Sequence, residues 1–307
     1  MDKLSTRILL TGSNGFLGQK LTDHLTERKD VELCCTSQSA NRNPNTSGYT
    51  FVELDLRDGK QLEKLIHYFK PTHIIHTAAL TSVEICEQDP EGCKALNVDV
   101  VAHLANICRE DDIHLTFLST DFVFDGQNGP YDERAATNPC NAYGQSKLDA
   151  ERAILASGCR AAILRTILVY GIIADRGRSN LVLWAKGKLE AGEPINVVSD
   201  QWRMPTFVDD LANACILAVE RNAEGVFHIS SDQMLTIQEA VEQVADYWQL
   251  DKTLISSITA KEIGQDKNRP QKTGFILDKA KQELGYQPTP FQASLSAIDQ
   301  QLKLFRK

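Results

Sequence analysis

Tyr143 and Lys147 stand four residues apart in the run Tyr143-Gly144-Gln145-Ser146-Lys147. On a helix that spacing puts both side chains on one face. A free phenol titrates at about 10 and is a poor acid–base catalyst at neutral pH. A neighbouring ammonium favours the phenolate and brings the phenol towards the working range. Upstream, Leu118-Ser119-Thr120-Asp121 ends an apolar run that reads as a strand, and ligands bind at the carboxyl ends of strands in α/β sheets. The Thr120 hydroxyl is placed there to hydrogen-bond a carbonyl and turn it towards Tyr143. Taken alone, a tyrosine and a lysine at this spacing are as readily a chance helical pair.

Their weight comes from a second motif. Thr11-Gly12-Ser13-Asn14-Gly15-Phe16-Leu17-Gly18 follows the first apolar run and opens the first helical stretch. The spacing differs from the common G-x-G-x-x-G fingerprint of dinucleotide sites, but the physics is shared. Gly12 allows a tight turn, Gly15 lets backbone approach a pyrophosphate, and Gly18 lets the helix pack closely. A diphosphate would lie on the helix N-terminus, where free N–H groups and the dipole favour an anion. The bland alternative is three glycines that merely shape a strand–helix turn.

Sites that prefer NAD place a carboxylate about twenty residues on, against the ribose 2′-hydroxyl. This chain has Cys34-Cys35-Thr36-Ser37 there, with Arg42 shortly after. A 2′-phosphate would meet no repulsion and one arginine, so the expected cofactor is NADP, with NAD as the alternative. Arg42 is equally a solvated loop residue. Asp55, followed by Leu56 at the end of the third strand, is a candidate partner for an adenine amino group, or else a simple turn cap. The candidate cofactor contacts are thus Gly12, Asn14, Gly15, Phe16, Leu17, Gly18, Arg42, Asp55 and Leu56, with Tyr143 and Lys147.

Short apolar runs alternating with helical stretches must position these groups. Strands are expected at Arg7 to Thr11, Val31 to Thr36, Phe51 to Leu54, His73 to Thr77, His114 to Ser119 and Ala161 to Val169. Helices are expected at Phe16 to Arg28, Gln61 to Phe69, Pro90 to Arg109 and Ala142 to Leu155, with a loop over residues 37 to 49. Such alternation implies right-handed crossovers and a Rossmann-type, doubly wound parallel sheet. The rhythm loosens after Tyr170, where the polar segments Asp175 to Asn180 and Gly264 to Gly274 suit a smaller substrate-binding lobe. The expected division is residues 1–170 for the NAD(P)-binding domain and 171–307 for the substrate-binding region. No Pro/Ser-rich linker separates them, so the two should be packed together and partly interleaved.

A net charge of −8 argues against a nucleic-acid partner. No apolar stretch reaches membrane-spanning length, and no leader precedes Arg7, so a cytoplasmic protein is expected. The eight cysteines form no CxxC pair or zinc spacing, which reads as reduced core thiols. Glu84, Cys86, Glu87 and Asp89 cluster on paper, but their spacing suits a solvated acidic helix start, and no metal site is expected. His73 and His76 read as structural.

The arrangement resembles the extended short-chain dehydrogenase/reductase family, and within it the dTDP-4-dehydrorhamnose reductases. Nearly the whole chain carries it: TGSNGFLG (11–18), HTAALTSVEICEQDP (76–90), ALNVDVVAHLA around Asn97, LSTDFVFDG (118–126), PYDE (130–133), NAYGQSKLDAE (141–151), LRTILVYG (164–171), VVSDQWRMPTFVDDLA (197–212) and NRP (268–270). The resemblance implies a reductase delivering hydride to the 4-keto group of a nucleotide-linked sugar. Tyr143 would protonate the alkoxide, Lys147 would hold the ribose, and Thr120, with Asp121 beside it, would orient the substrate. Arg203 would meet the substrate diphosphate, a role that suits its bidentate fork, or else form a surface ion pair. Ala78 and Ala79 would line the cofactor groove, and homodimers occur among such enzymes. Rhamnose-forming enzymes carry Ser-Trp after the Arg-Thr of the sixth strand, where this chain has Ile167-Leu168. The chain is also similar to the beta subunit of methionine adenosyltransferase, which keeps the fold and binds NADP in a regulatory role. An epimerase or dehydratase of the same fold is a third reading, though the Asp-Glu pair expected of a dehydratase is absent.

Overall fold

The computed structural model describes residues 6–175 and 179–304; residues 176–178, part of the polar segment expected in the substrate lobe, lie outside them. Six strands follow one another through the first half: β1 (Thr6–Thr11), β2 (Val31–Ser37), β3 (Thr50–Glu53), β4 (His73–His76), β5 (His114–Thr120) and β6 (Ala161–Thr166). With the later strand Gly225–Ile229 they form one seven-stranded sheet, ordered from that strand through β6, β5, β4, β1 and β2 to β3. Every pairing in it is parallel. The order reverses between β1 and β4, so the loops leaving these strands diverge and open a crevice at their carboxyl ends.

Side-chain alternation splits the core into two layers. Ile8 and Leu10 of β1 pack on one face with Leu21, Leu25, Leu211 and Cys215. Leu9 packs on the other with Leu62, Ile66, Leu104 and Ile154. A third core, around Tyr170, Val182, Ile195, Phe207, Val241 and Phe291, marks the smaller lobe. The segment after residue 170 thus builds this lobe and also returns Gly225–Ile229 to the central sheet.

Three local features depart from expectation. The sixth run does not continue to Val169: β6 stops at Thr166, and Val169–Tyr170 pairs instead with Thr206–Phe207. Between them Leu168 takes φ 38°, a left-handed backbone uncommon for a bulky residue. Thr206 holds the kink, donating from its N–H and its hydroxyl to the Ile167 carbonyl at 3.0 and 2.7 Å. The expected helix at Pro90 to Arg109 is interrupted by a π-turn at Ala95–Asp99 and is preceded by a separate helix, Val83–Gln88. Finally, Cys86 and Cys93 form a disulfide joining the helices Val83–Gln88 and Pro90–Lys94. This corrects the expectation that all eight thiols are free, because the tight connection brings two buried cysteines face to face. The other six are free. Among the described residues no helix is long and apolar enough to cross a membrane, and no His/Cys/Asp/Glu group is placed to hold a metal ion.

Candidate active site

A cleft of about 920 Å³ opens along the carboxyl ends of the strands. Gly15, Phe16, Leu17, Ala79, Thr120, Asp121, Tyr143, Lys147 and Arg203 of the expected site residues line it. The others stand behind or beside it. Gly12 has φ 76°, and a Cβ there would sit 2.6 Å from the Ala78 backbone nitrogen, so Ala78 backs the glycine turn while Ala79 faces the cleft. Gly18 is pressed as closely on Ser13, where a Cβ would meet Cα at 2.7 Å. Asn14 organises the loop after β2: its N–H donates to Ser37 Oγ at 3.1 Å, its amide donates to the Ala40 carbonyl, and its Oδ1 accepts the Arg42 N–H at 2.9 Å. Arg42 is left exposed on that loop. Leu56 is buried. Asp55 already accepts from Arg57 at 2.6 Å and Gln38 at 3.2 Å, an ion pair formed by its own loop.

The helix that carries Tyr143 and Lys147 runs Ala142–Ser157. Asn141 caps it, accepting from the Gly144 N–H at 2.7 Å, and a cap of this type stabilises a helix by about 1 kcal/mol. The Asn141 amide also donates to the Asn268 carbonyl at 2.8 Å, and Glu87 accepts the Ala142 N–H at 2.7 Å. The acidic helix start at 84–89 is therefore a fastening: Glu84 pairs with Arg269 at 2.5 Å, and Asp89 caps the Gly92 N–H.

Tyr143 meets Phe122 edge-on at 6.0 Å. Burial pushes its phenol up to about 12; the Thr120 hydroxyl, which favours the phenolate, opposes that shift. Lys147 is not among the causes of that shift, so the expected lowering of the phenol by its ammonium is not borne out; burial prevails. Burial instead drives the Lys147 ammonium down to about 7, resisted by Glu151 one turn along the helix. Lys147 Nζ stands 4.1 Å above the Phe117 ring. Glu151, 2% exposed, accepts from Ser119 Oγ at 2.5 Å and from Arg165 at 2.9 and 2.6 Å. One carboxylate thus ties this helix to β5 and β6. His76, also buried, bonds Thr11 Oγ1 at 2.8 Å, a structural role.

Thr120 ends β5 as expected, but its hydroxyl is already engaged. It donates to Asp121 Oδ1 and accepts from the Phe122 N–H, both at 3.2 Å. Asp121 is buried, accepts from Thr273 at 2.5 Å, and lies 3.9 Å from Arg203 Nε. Burial raises the Asp121 carboxyl, and Arg203 opposes the rise. Arg203 is no surface ion pair: it is buried and donates to the carbonyls of Trp202 (2.7 Å), Pro270 (2.7 Å) and Gln271 (3.2 Å). Arg269, Gln201 and the kinked Leu168 also line the cleft, although their types and spacing gave no chemical signal in the sequence.

The family model described as RmlD substrate binding domain matches residues 6–304. The chain belongs to that family. A methionine adenosyltransferase 2 subunit beta from Xenopus tropicalis is 32% identical over 94% of this chain and 86% of its own length. The structure of a dTDP-4-dehydrorhamnose reductase from Clostridium acetobutylicum superposes with TM-score 0.85 at 25% identity, covering 97% of this chain and 99% of its own. A second such reductase, from Bacillus anthracis and in complex with NADP, has TM-score 0.85 at 23% identity with the same coverage, which shows the common fold. These superpositions show that the parallel-sheet α/β fold is shared.

Proposed function

We propose that this RmlD-family chain is an NADPH-dependent reductase of a nucleotide-linked 4-keto-6-deoxy sugar, with NADH as the alternative cofactor. The convergence of Tyr143, Lys147 and Thr120 with the Gly15–Leu17 turn on one cleft carries this reading. The residues present fit the cofactor. Neither Gly12 nor Gly18 leaves room for a Cβ; the Gly12, Ser13 and Gly15 N–H groups are spent on the Thr36 and Gly12 carbonyls, so a pyrophosphate would meet the N-terminus of the helix Phe16–Thr26. Lys147 is a buried cation on the cleft wall, suited to ribose hydroxyls. The end of β2 holds no carboxylate, and the exposed Arg42 suits a 2′-phosphate, with Asp55 and Leu56 bordering the adenine end.

When bound, NADPH supplies the hydride for the keto carbon. Tyr143 gives its proton to the carbonyl oxygen, so C=O becomes CH–OH. The phenolate left behind is stabilised by the Thr120 hydroxyl and the Lys147 charge. Thr120, steered by Asp121, orients the carbonyl, and Arg203 fixes the wall that meets the diphosphate arm. The test is NADPH and NADH oxidation by the purified protein with dTDP-4-keto-6-deoxy-L-mannose. Substrate-dependent oxidation with NADPH preferred is expected; none with any nucleotide-linked keto sugar would overturn the reading.

The 32% identity to a methionine adenosyltransferase subunit supports a second reading, a regulatory subunit that binds NADP. It predicts stable co-purification with a methionine adenosyltransferase catalytic chain and no keto-sugar turnover.

A further inference from the structure

We propose that Gln201 is a substrate-binding residue that donates a hydrogen bond to the diphosphate arm of the nucleotide-linked substrate, an inference that rests on the reductase reading above. Gln201 is 5% exposed, lines the cleft, and its side-chain nitrogen Nε2 has no hydrogen-bond partner among the described residues. Buried polar groups are nearly always paired, and one left unpaired on a cleft wall marks where a ligand completes the set.

Its backbone is firmly placed. The Gln201 carbonyl accepts the Ile237 N–H at 3.0 Å, at the start of the helix Ile237–Trp248. The next residues form the short strand Trp202–Arg203. Alternation along extended chain puts Gln201 and Arg203 on one side, about 7 Å apart. Arg203 reaches towards Asp121, which adjoins Thr120. Thr120, Asp121, Arg203 and Gln201 thus line one cleft.

The chemistry of this end is one-sided. Arg269 lines the same cleft, and its Nε also lacks a partner among the described residues, although its outer nitrogen is tied to Glu84. Unpaired N–H donors beside two guanidinium groups call for a ligand rich in anionic oxygen acceptors. The diphosphate of a nucleotide-linked sugar meets that requirement.

The experiment titrates UDP and dTDP into NADPH-loaded protein by calorimetry and records melting of the ligand-free protein. Gln201→Leu removes an unpaired buried amide, so the ligand-free Tm is expected to hold or rise. Nucleoside diphosphate affinity should fall about tenfold, with NADPH affinity unchanged. Gln201→Glu, which replaces the donor with a like charge, should weaken the nucleotide further. Equal UDP and dTDP affinity in wild type and Gln201→Leu overturns the assignment while leaving the reductase reading intact. A ligand-free Tm several degrees lower in Gln201→Leu also overturns it, by showing a structural amide. If wild-type protein binds neither nucleotide, the nucleotide-sugar reading itself fails.

Discussion

The two walls of the cleft are built differently. The wall proposed for the cofactor comes from β1, β5 and the helix Ala142–Ser157, and its groups are placed by short-range rules: a three-glycine turn, a strand end, a tyrosine and lysine one turn apart. Behind it the Ser119–Glu151–Arg165 set is closed on itself, while Thr36 Oγ1, His76 Nε2 and Thr116 Oγ1 have no partner among the described residues. The wall proposed for the substrate is assembled by long-range closure. Arg203 is pinned by carbonyls 67 and 68 residues away, and Arg269 by a carboxylate 185 residues away. Its buried donors Gln201 Nε2 and Arg269 Nε lack a partner among the described residues. The closed carboxylate set ties the helix of the first wall to the sheet; the unpaired donors of the second are the ones proposed to be completed by ligand.

The largest effect should come from the cofactor wall. Arg165→Met leaves Glu151 buried and unpaired, and about 3–5 kcal/mol of stability should be lost. Denaturant unfolding measures it, and adding Glu151→Leu should recover much of the loss. A loss below about 1 kcal/mol would mean that the wall does not depend on this pair. Gly12→Ala forces a Cβ into the Ala78 backbone at positive φ. It should cost about 2–3 kcal/mol and weaken NADPH binding in fluorescence titration; unchanged binding would show that the turn does not cradle the cofactor.

Beside the helix Ala142–Ser157, the Cys86–Cys93 bridge closes a loop with a sequence separation of 7, and Asn97 donates both to Cys93 Sγ and to Ser146 Oγ. Reducing the bridge, or substituting both cysteines by serine, should cost about 2 kcal/mol. Equal melting with and without a dithiol reductant would show that the bridge adds no stability.

Lys147, at the seam between the walls, should show its effect as a pH dependence of stability. Burial lowers its ammonium to about 7 in the fold, against about 10.4 in an unfolded chain. Between those values the unfolded chain binds more protons at this site. Its contribution to stability therefore rises with pH from about 7 to about 10 and is flat below. Lys147→Met should remove that slope and raise stability at pH 7. A melting curve whose pH dependence matches wild type from pH 6 to 10 would show that Lys147 is not desolvated.

This contrast also marks what could be read in advance. Strand periodicity and the glycine turn disclosed the sheet, and Tyr143, Lys147 and Thr120 fell on the cleft as spacing required. Leu168 escaped because its left-handed kink answers to Thr206, nearly forty residues later, and no local preference announces it. Cys86 and Cys93 looked like core thiols because their meeting depends on a break between two short helices. Asp55 looked free because its Arg57 partner is a choice of side-chain conformation. Gln201 carried no signal, since an orphaned amide exists only once its surroundings are known.

The most direct test of the central claim is NADPH oxidation by Tyr143→Phe beside wild type, on the same nucleotide-linked keto sugar, with NADPH affinity measured in both. Turnover should fall by about 10²–10⁴ while NADPH binding stays within about threefold. Turnover near wild type in the variant would contradict Tyr143 as the proton donor, and with it the cleft as the active site of a reductase.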